Sequence, residues 1–242
     1  PYPATTPGPP PKTADPESGR TGSLSHRSPP PPGAFAGRLF RAGGGISGYA
    51  GRLVSPSNAW RMSDQPLHVV VLAAGEGKRM NSGLPKVLQP VAERPMLEHL
   101  LRAARALNPA RIHVVVGHGA EQVAGRLAGL DDDRLCTVEQ HQRLGTGHAV
   151  EQALPDVPDA ARVLVLPGDM PLVRERTLRR FADNDAPLAV LSFVADDPFG
   201  YGRIVRDDDR RVLGIVEQRD ASDREARIRE VNSGVLAADA AR

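Results

Sequence analysis

The chain has 242 residues, a single cysteine and a formal net charge of +2. One cysteine, Cys136, rules out an internal disulfide and points to a reducing, cytoplasmic setting, and no apolar run approaches the ~18 residues that suggest a membrane span. The positive charge sits at one end: residues 1–61 carry seven Lys/Arg against two Asp/Glu, so residues 62–242 are net negative and give no reason to expect a nucleic-acid partner.

Residues 1–61 hold more than half of the 23 prolines, in runs such as "PGPPPK" and "SPPPPG". Such a stretch buries too little apolar surface to offset the entropy of ordering, and it is read as a disordered tail. It is Arg- and Ser-containing and acid-poor, like a transit peptide, but its prolines oppose an amphipathic targeting helix. Met62 opens "MSDQPLHVVVLAAG" like a natural start, so the tail is read as upstream sequence outside the native protein, with one domain over 62–242.

From Leu67 strand and helix patterns alternate. "LHVVVLAA" is a short β-branched run of the buried parallel kind. Residues 94–107 place Pro95 at a helix start and Met96, Leu97, Leu100, Leu101 and Ala104 at helical spacing. Then come a strand at 111–117, a helix at 119–130, a strand at 134–140, a helix opening at the glycine turn of 145–154, a strand at 161–169 and a helix at 174–183. Strands follow at 186–195, 201–207, 211–218 and 230–238. The alternation predicts an α/β fold, a doubly wound, mostly parallel Rossmann-like sheet. In such sheets ligands bind beyond the carboxyl ends of the strands, here Ala73–Met80, Gly117–Gly119, Gln140–Gly147 and Pro167–Pro171.

The first strand end, "LAAGEGKRM", has the look of a phosphate loop. It is not a P-loop, because Leu72 stands where the first glycine belongs and Arg79 replaces Ser/Thr. It is not the dinucleotide fingerprint, because Met80 replaces the third glycine. What remains is Gly75-x-Gly77 followed by Lys78, Arg79 and, in "LPKVL", Lys86. Glycines let backbone N–H groups approach phosphate oxygens, and the cations offset their charge.

This loop resembles the signature of the sugar-phosphate nucleotidyltransferases. The blocks "EQHQRLGTGHAV", "VLVLPGDMPL", "GYGRIVRD", "GIVEQRDA" and "VNSGVL" narrow the resemblance. In this order they are similar to the uridyltransferase domain of the bacterial bifunctional N-acetylglucosamine-1-phosphate uridyltransferase/glucosamine-1-phosphate acetyltransferases, over about residues 66–242. The resemblance implies the nucleotide-diphospho-sugar transferase fold. It also implies UTP and N-acetylglucosamine 1-phosphate as partners, with UDP-N-acetylglucosamine and pyrophosphate as products. By the same resemblance Leu72, Ala73, Ala74 and Gly75 line the nucleotide with backbone groups, and Arg79 and Lys86 are catalytic cations on its phosphates. Gln140 reads the uracil edge, and Gly145 and Thr146 complete the base and sugar pocket. Pro167, Gly168 and Asp169 close the nucleotide site. Asp169 is the ligand of Mg²⁺, the implied cofactor, which suits an ion that takes one or two carboxylates plus phosphate oxygens. Gly202, Glu217 and Asn232 form the sugar-binding set.

The sequence departs from the family pattern at Lys78 (usually Thr), Pro167 (usually Tyr) and Ser233 (usually Thr). The family's second Mg²⁺ ligand, an Asn, and its left-handed β-helix with the acetyltransferase site and the trimer contacts would lie beyond Arg242. A homotrimer is therefore expected only with that domain. Two other readings stay open at this level: a nucleotidyltransferase of the same fold using another NTP or sugar, and a truncated, non-catalytic UDP-sugar-binding domain. Cys136 is flanked by apolar strand positions and is read as core, not nucleophile.

Overall fold

The computed structural model describes residues 65–75, 77, 80, 82–142 and 144–241. The Pro/Gly-rich tail, Met62, Lys78 and Arg79 lie outside the described residues.

The first strand, β1 (Leu67–Leu72), is buried on both faces, with Val69, Val70 and Val71 wholly inaccessible. That is why its sequence is a continuous β-branched run and not an alternation. Its parallel neighbours are β4 (Arg111–Val116) on one side and β6 (Arg162–Pro167) on the other, and β5 (Leu135–Glu139) pairs parallel with β4. The parallel strands therefore lie side by side in the order β5-β4-β1-β6. Chain order reverses between β1 and β6, whose ends Leu72 and Pro167 are register partners. That reversal is where an open α/β sheet leaves a crevice for a ligand.

Beyond β6 the sheet turns antiparallel. The long β10 (Glu230–Asp239) pairs with β6, with β7 (Leu188–Val194) and with β8 (Arg203–Arg206), and β8 pairs with β9 (Val212–Val216). The expected doubly wound sheet is thus present, extended by an antiparallel half that carries the last four strands.

Helices cover both faces. On one face α1 (Met96–Arg105), α2 (Ala120–Ala128) and α4 (Glu175–Ala182) bury Leu97, Leu100, Leu101, Ala104, Val123, Leu127 and Leu178 against Val69, Val71, Ile112, Val114, Leu164 and Leu166. On the other, α3 (Thr146–Ala153) lays Ala149 and Ala153 over Val70, Val115, Val163 and Val165. Each fully buried aliphatic side chain contributes about 1.5–3 kcal/mol, so a one-residue slip of β1 would be strongly disfavoured. Among the described residues no helix is long and apolar enough to cross a membrane.

Two features differ from the sequence expectation. The helix expected over 94–107 begins at Met96, because Arg94–Pro95 (β3) pairs with Pro90–Val91 (β2) in a small hairpin. A further four-residue helix, α5 (Asp223–Ala226), stands where no element was predicted; Ser222 and Glu225 cap it reciprocally.

Candidate active site

Strand ends meet at the switch point through glycines. Gly168 follows β6 and donates its N–H to the Leu72 carbonyl. A Cβ on Gly168 would lie 2.8 Å from that oxygen and 3.0 Å from Val87 Cγ1, so only glycine lets the two ends close. Gly117, after β4, leaves similar room for Ala74, whose Cβ would lie 3.0 Å from a side chain there. Gly77 has φ +61°, and a Cβ on it would stand 2.7 Å from Lys86 Cβ. The loop glycine is therefore folded against the lysine that follows it in sequence by nine residues.

Lys86 opens a short 3₁₀ turn, Lys86–Leu88, whose Val87 and Leu88 are buried. This anchoring aims Lys86 at the end of β6, where its Nζ makes a direct ion pair with Asp169 Oδ2. Both side chains remain about one-third exposed, at 37% and 35%. A cation and a carboxylate thus stand together at the mouth of the crevice, one suited to phosphate and the other to a hard metal ion. Among the described residues no group of three or more His, Cys, Asp or Glu could cage a metal. A lone carboxylate fits Mg²⁺ in the manner typical of phosphate-transfer sites, where the substrate's own oxygens complete the shell.

Opposite the crevice, α3 begins at Gly145, whose φ of +105° a side chain would strain. Its first residue is the exposed Thr146. Gln140, only 6% exposed, extends from the end of β5 toward this turn. Its Nε2 donates to Gly145 O (3.0 Å) and meets His148 Nδ1 (3.0 Å). The amide nitrogen therefore holds the turn, and the carbonyl oxygen is the part of Gln140 suited to meet a base N–H.

The antiparallel half supplies the other wall. Gly202 lies just before β8, and its carbonyl accepts from Asn232 N (2.8 Å). A Cβ on Gly202 would lie 3.1 Å from Glu217 Oε1 and 2.8 Å from Ile215 Cγ2. Gly202, Glu217 and Asn232, from three separate stretches of sequence, are thus brought together. Asn232 Oδ1 also accepts from Gly234 N (2.9 Å), which shapes the bulge in β10 between Asn232 and Leu236. Gly234 has φ +83°, and Pro167 Cγ occupies the space a Cβ would need, at 2.8 Å.

A cavity of about 640 Å³ runs between these walls, lined by Leu72, Thr146, Pro167, Glu217 and Asn232 together with Gly147, Gly214, Ile215 and Gly234. It continues along the open sheet face past Val163, Val165, Leu236 and Ala238. Five residues singled out in the sequence therefore share one cavity, and Asp169, paired with Lys86, follows the lining residue Pro167 by two positions. The backbone roles expected of Leu72 and Ala73 are narrower in the structure. The Leu72 carbonyl is bound to Gly168 N, and Ala73 N donates to Val115 O at 2.8 Å. Both groups hold the sheet end closed. The side chains of Ala73 and Ala74 are core, while Gly75 is exposed, with no atom of the described residues beyond its chain neighbours within 4 Å of where a Cβ would stand. Arg79 lies outside the described residues. Sequence reasoning missed Gly234 and Gly214; the signal for Gly234 was the Asn-x-Gly spacing of "NSG", which suits an Asx turn.

Residues 69–229 match the family model of the MobA-like NTP transferase domain, and the chain belongs to that family of nucleotidyltransferases. It is most informatively compared with the bifunctional protein GlmU of Stenotrophomonas maltophilia (strain R551-3), to which it is 58% identical over 175 residues, 72% of this chain and 38% of that protein. The chain thus spans about 38% of the length of the curated relatives it matches. The likeness read from the motif blocks agrees with this match. Two solved structures share the fold. One is a Bacillus anthracis protein in complex with sucrose (TM-score 0.58, 20% identity, 72% of each chain). The other is HddC from Yersinia pseudotuberculosis complexed with GMP-PN (TM-score 0.55, 22% identity, 72% of this chain and 76% of that one).

Proposed function

We propose that the crevice transfers uridylyl from UTP to N-acetylglucosamine 1-phosphate, giving UDP-N-acetylglucosamine and pyrophosphate. The single observation that carries this reading is that Glu217 and Asn232, gathered around Gly202, line the same cavity as Leu72 and Pro167, the strand ends beside which the Lys86–Asp169 pair stands. The first pair offers partners for the hydroxyl and amide groups of an amino sugar, and the Lys86–Asp169 pair offers charge for a triphosphate.

The glycine loop approaches the phosphates with its backbone, Lys86 neutralises a phosphate oxygen, and Arg79 adds a second cation. Asp169 would hold Mg²⁺, which would supply charge neutralisation on the phosphate oxygens. Gly145 and Thr146 bound the base and ribose, and the Gln140 carbonyl oxygen accepts from the uracil ring N–H. Glu217 and the Asn232 side-chain amide orient the sugar so that its phosphate oxygen faces the α-phosphorus in line. The P–O bond to the β-phosphate breaks as the new P–O bond forms, and pyrophosphate leaves. No protein nucleophile is required, so the rate comes from positioning and charge. Cys136 fits that reading: burial pushes its thiol pKa up, away from a reactive thiolate. If the full-length protein follows the family, a second domain would acetylate glucosamine 1-phosphate with acetyl-CoA, and the sugar nucleotide, made in the cytoplasm, would feed cell-wall and lipopolysaccharide synthesis.

A pyrophosphate-release assay across UTP, CTP, GTP and dTTP, each with N-acetylglucosamine 1-phosphate, glucosamine 1-phosphate or glucose 1-phosphate, tests the choice of substrates. Release is expected with UTP and the acetylated sugar. Faster release with another pair would replace this reading with that one.

A further inference from the structure

The guanidinium of Arg203 is among the most deeply buried polar groups in the protein, at 1% exposure, yet no substrate role accounts for it. Burying a charge is costly unless it is fully engaged. Its Nη1 donates to the Tyr201 carbonyl. Its Nη2 donates to Gln218 Oε1 at 2.6 Å and reaches Ala226 O, at the end of α5, at 3.4 Å. Nε has no partner. Gln218 Oε1 accepts a second bond from Gly200 N at 3.1 Å. One guanidinium and one amide oxygen therefore tie together the turn at 200–202, the segment after β9 and the short helix α5.

That tie has a consequence for the cavity. Gly200 has φ +85°, so the turn is one that glycine permits and that needs fixing from outside. Gly202 and Glu217 are each one residue from a clamped group, and their spacing is tight enough that a methyl on Gly202 would press on Glu217 Oε1. We infer that Arg203, acting through Gln218, is a positioning residue that fixes the Gly202–Glu217 wall and so sets affinity for the sugar phosphate, without touching it. The inference rests on the proposed sugar-binding role of that wall.

Gln218→Ala removes the shared acceptor, and Gln218→Glu keeps it while adding a charge-assisted bond to Arg203. In the full chain, Gln218→Ala should raise KM for N-acetylglucosamine 1-phosphate about tenfold, the scale of one or two lost hydrogen bonds. KM for UTP and kcat should stay within about twofold on the same argument, and Gln218→Glu should restore the sugar KM. Arg203→Lys, which cannot fork to several acceptors, should share the phenotype of Gln218→Ala. An unchanged sugar KM, or equal effects on both substrates, would overturn the inference. Hydrogen exchange separates it from the underlying reading. If Gln218→Ala leaves the Gly200 amide as protected as in the parent, the clamp itself is refuted, whatever the reaction. If the amide opens but the parent protein binds no sugar 1-phosphate, the proposed function fails and the positioning role falls with it.

Discussion

Lys86 and Asp169 meet across 83 positions of sequence because each is pinned by its neighbours. Val87 and Leu88 bury the turn behind the lysine, and Gly168 packs the aspartate's strand end onto β1. Their ion pair is partly exposed, and such pairs add little to stability, about 0–1 kcal/mol. Lys86→Met should therefore leave the melting temperature within a few degrees but weaken UTP binding in a calorimetric titration, by about tenfold for one lost charge-assisted contact. A binding constant equal to that of the parent would remove Lys86 from the phosphate site. Gly168 makes the opposite kind of claim. Gly168→Ala would force a methyl against the Leu72 carbonyl, an overpacking that costs about 1–3 kcal/mol. A urea midpoint that does not move would show that the strand ends can relax.

At the scale of elements, three polar side chains line up across β1, β4 and β5. His68 Nδ1 and His113 Nε2 are 3.0 Å apart, and His113 Nδ1 meets Cys136 Sγ at 3.3 Å. Burial, then the neighbouring His68, lowers the His113 pKa to about 4, while Asp156 opposes the shift and Arg111 adds to it. Burial lowers His68 as well, with Arg111 contributing. The unfolded chain, with histidines near 6.5, therefore binds more protons than the folded one between those values. Stability is fully present above pH 6.5 and falls as pH drops toward 4. Urea titrations from pH 7.5 to 4.5 should show that decline, and His113→Gln should flatten it; an equally steep decline in the variant would place the titration elsewhere. At the other end of the sheet, Glu230 of β10 binds Arg206 of β8 and Ser192 of β7, and the Arg206 hydrogen bond foremost holds its carboxyl pKa at about 2. That pairing joins β7, β8 and β10 through their side chains.

The same scale shows what the sequence could and could not disclose. The parallel core was legible because strands buried on both faces must be unbroken apolar runs, and α1 because its leucines recur at helical spacing. The hairpin of β2 and β3 was not, since two-residue strands built around Pro90 and Pro95 carry no periodicity. Nor was α5, four residues long and fixed by its capping box alone. In the site, the family resemblance grouped Glu217 and Asn232 with Gly202, but residue patterning alone did not show how they meet. It depends on the antiparallel pairing of β10 with β8, and on bonds such as Asn232 N to Gly202 O that join residues distant in sequence.

At the scale of the whole molecule, a parallel half brings Gly75, Gly77 and the Lys86–Asp169 pair to the switch point. An antiparallel half raises a second wall beside it, and the 640 Å³ cavity lies between the two. A nucleotide and a sugar phosphate would each meet one half, and the reaction would occur where β1 and β6 end. Transfer of label from [α-³²P]UTP to N-acetylglucosamine 1-phosphate, by the protein and by Asp169→Ala, measures this most directly. The account predicts labelled UDP-N-acetylglucosamine from the parent protein and a loss of about a hundredfold or more in the variant, the scale of removing one preorganised electrostatic group. Equal transfer by both proteins, or no transfer by the parent, would contradict it.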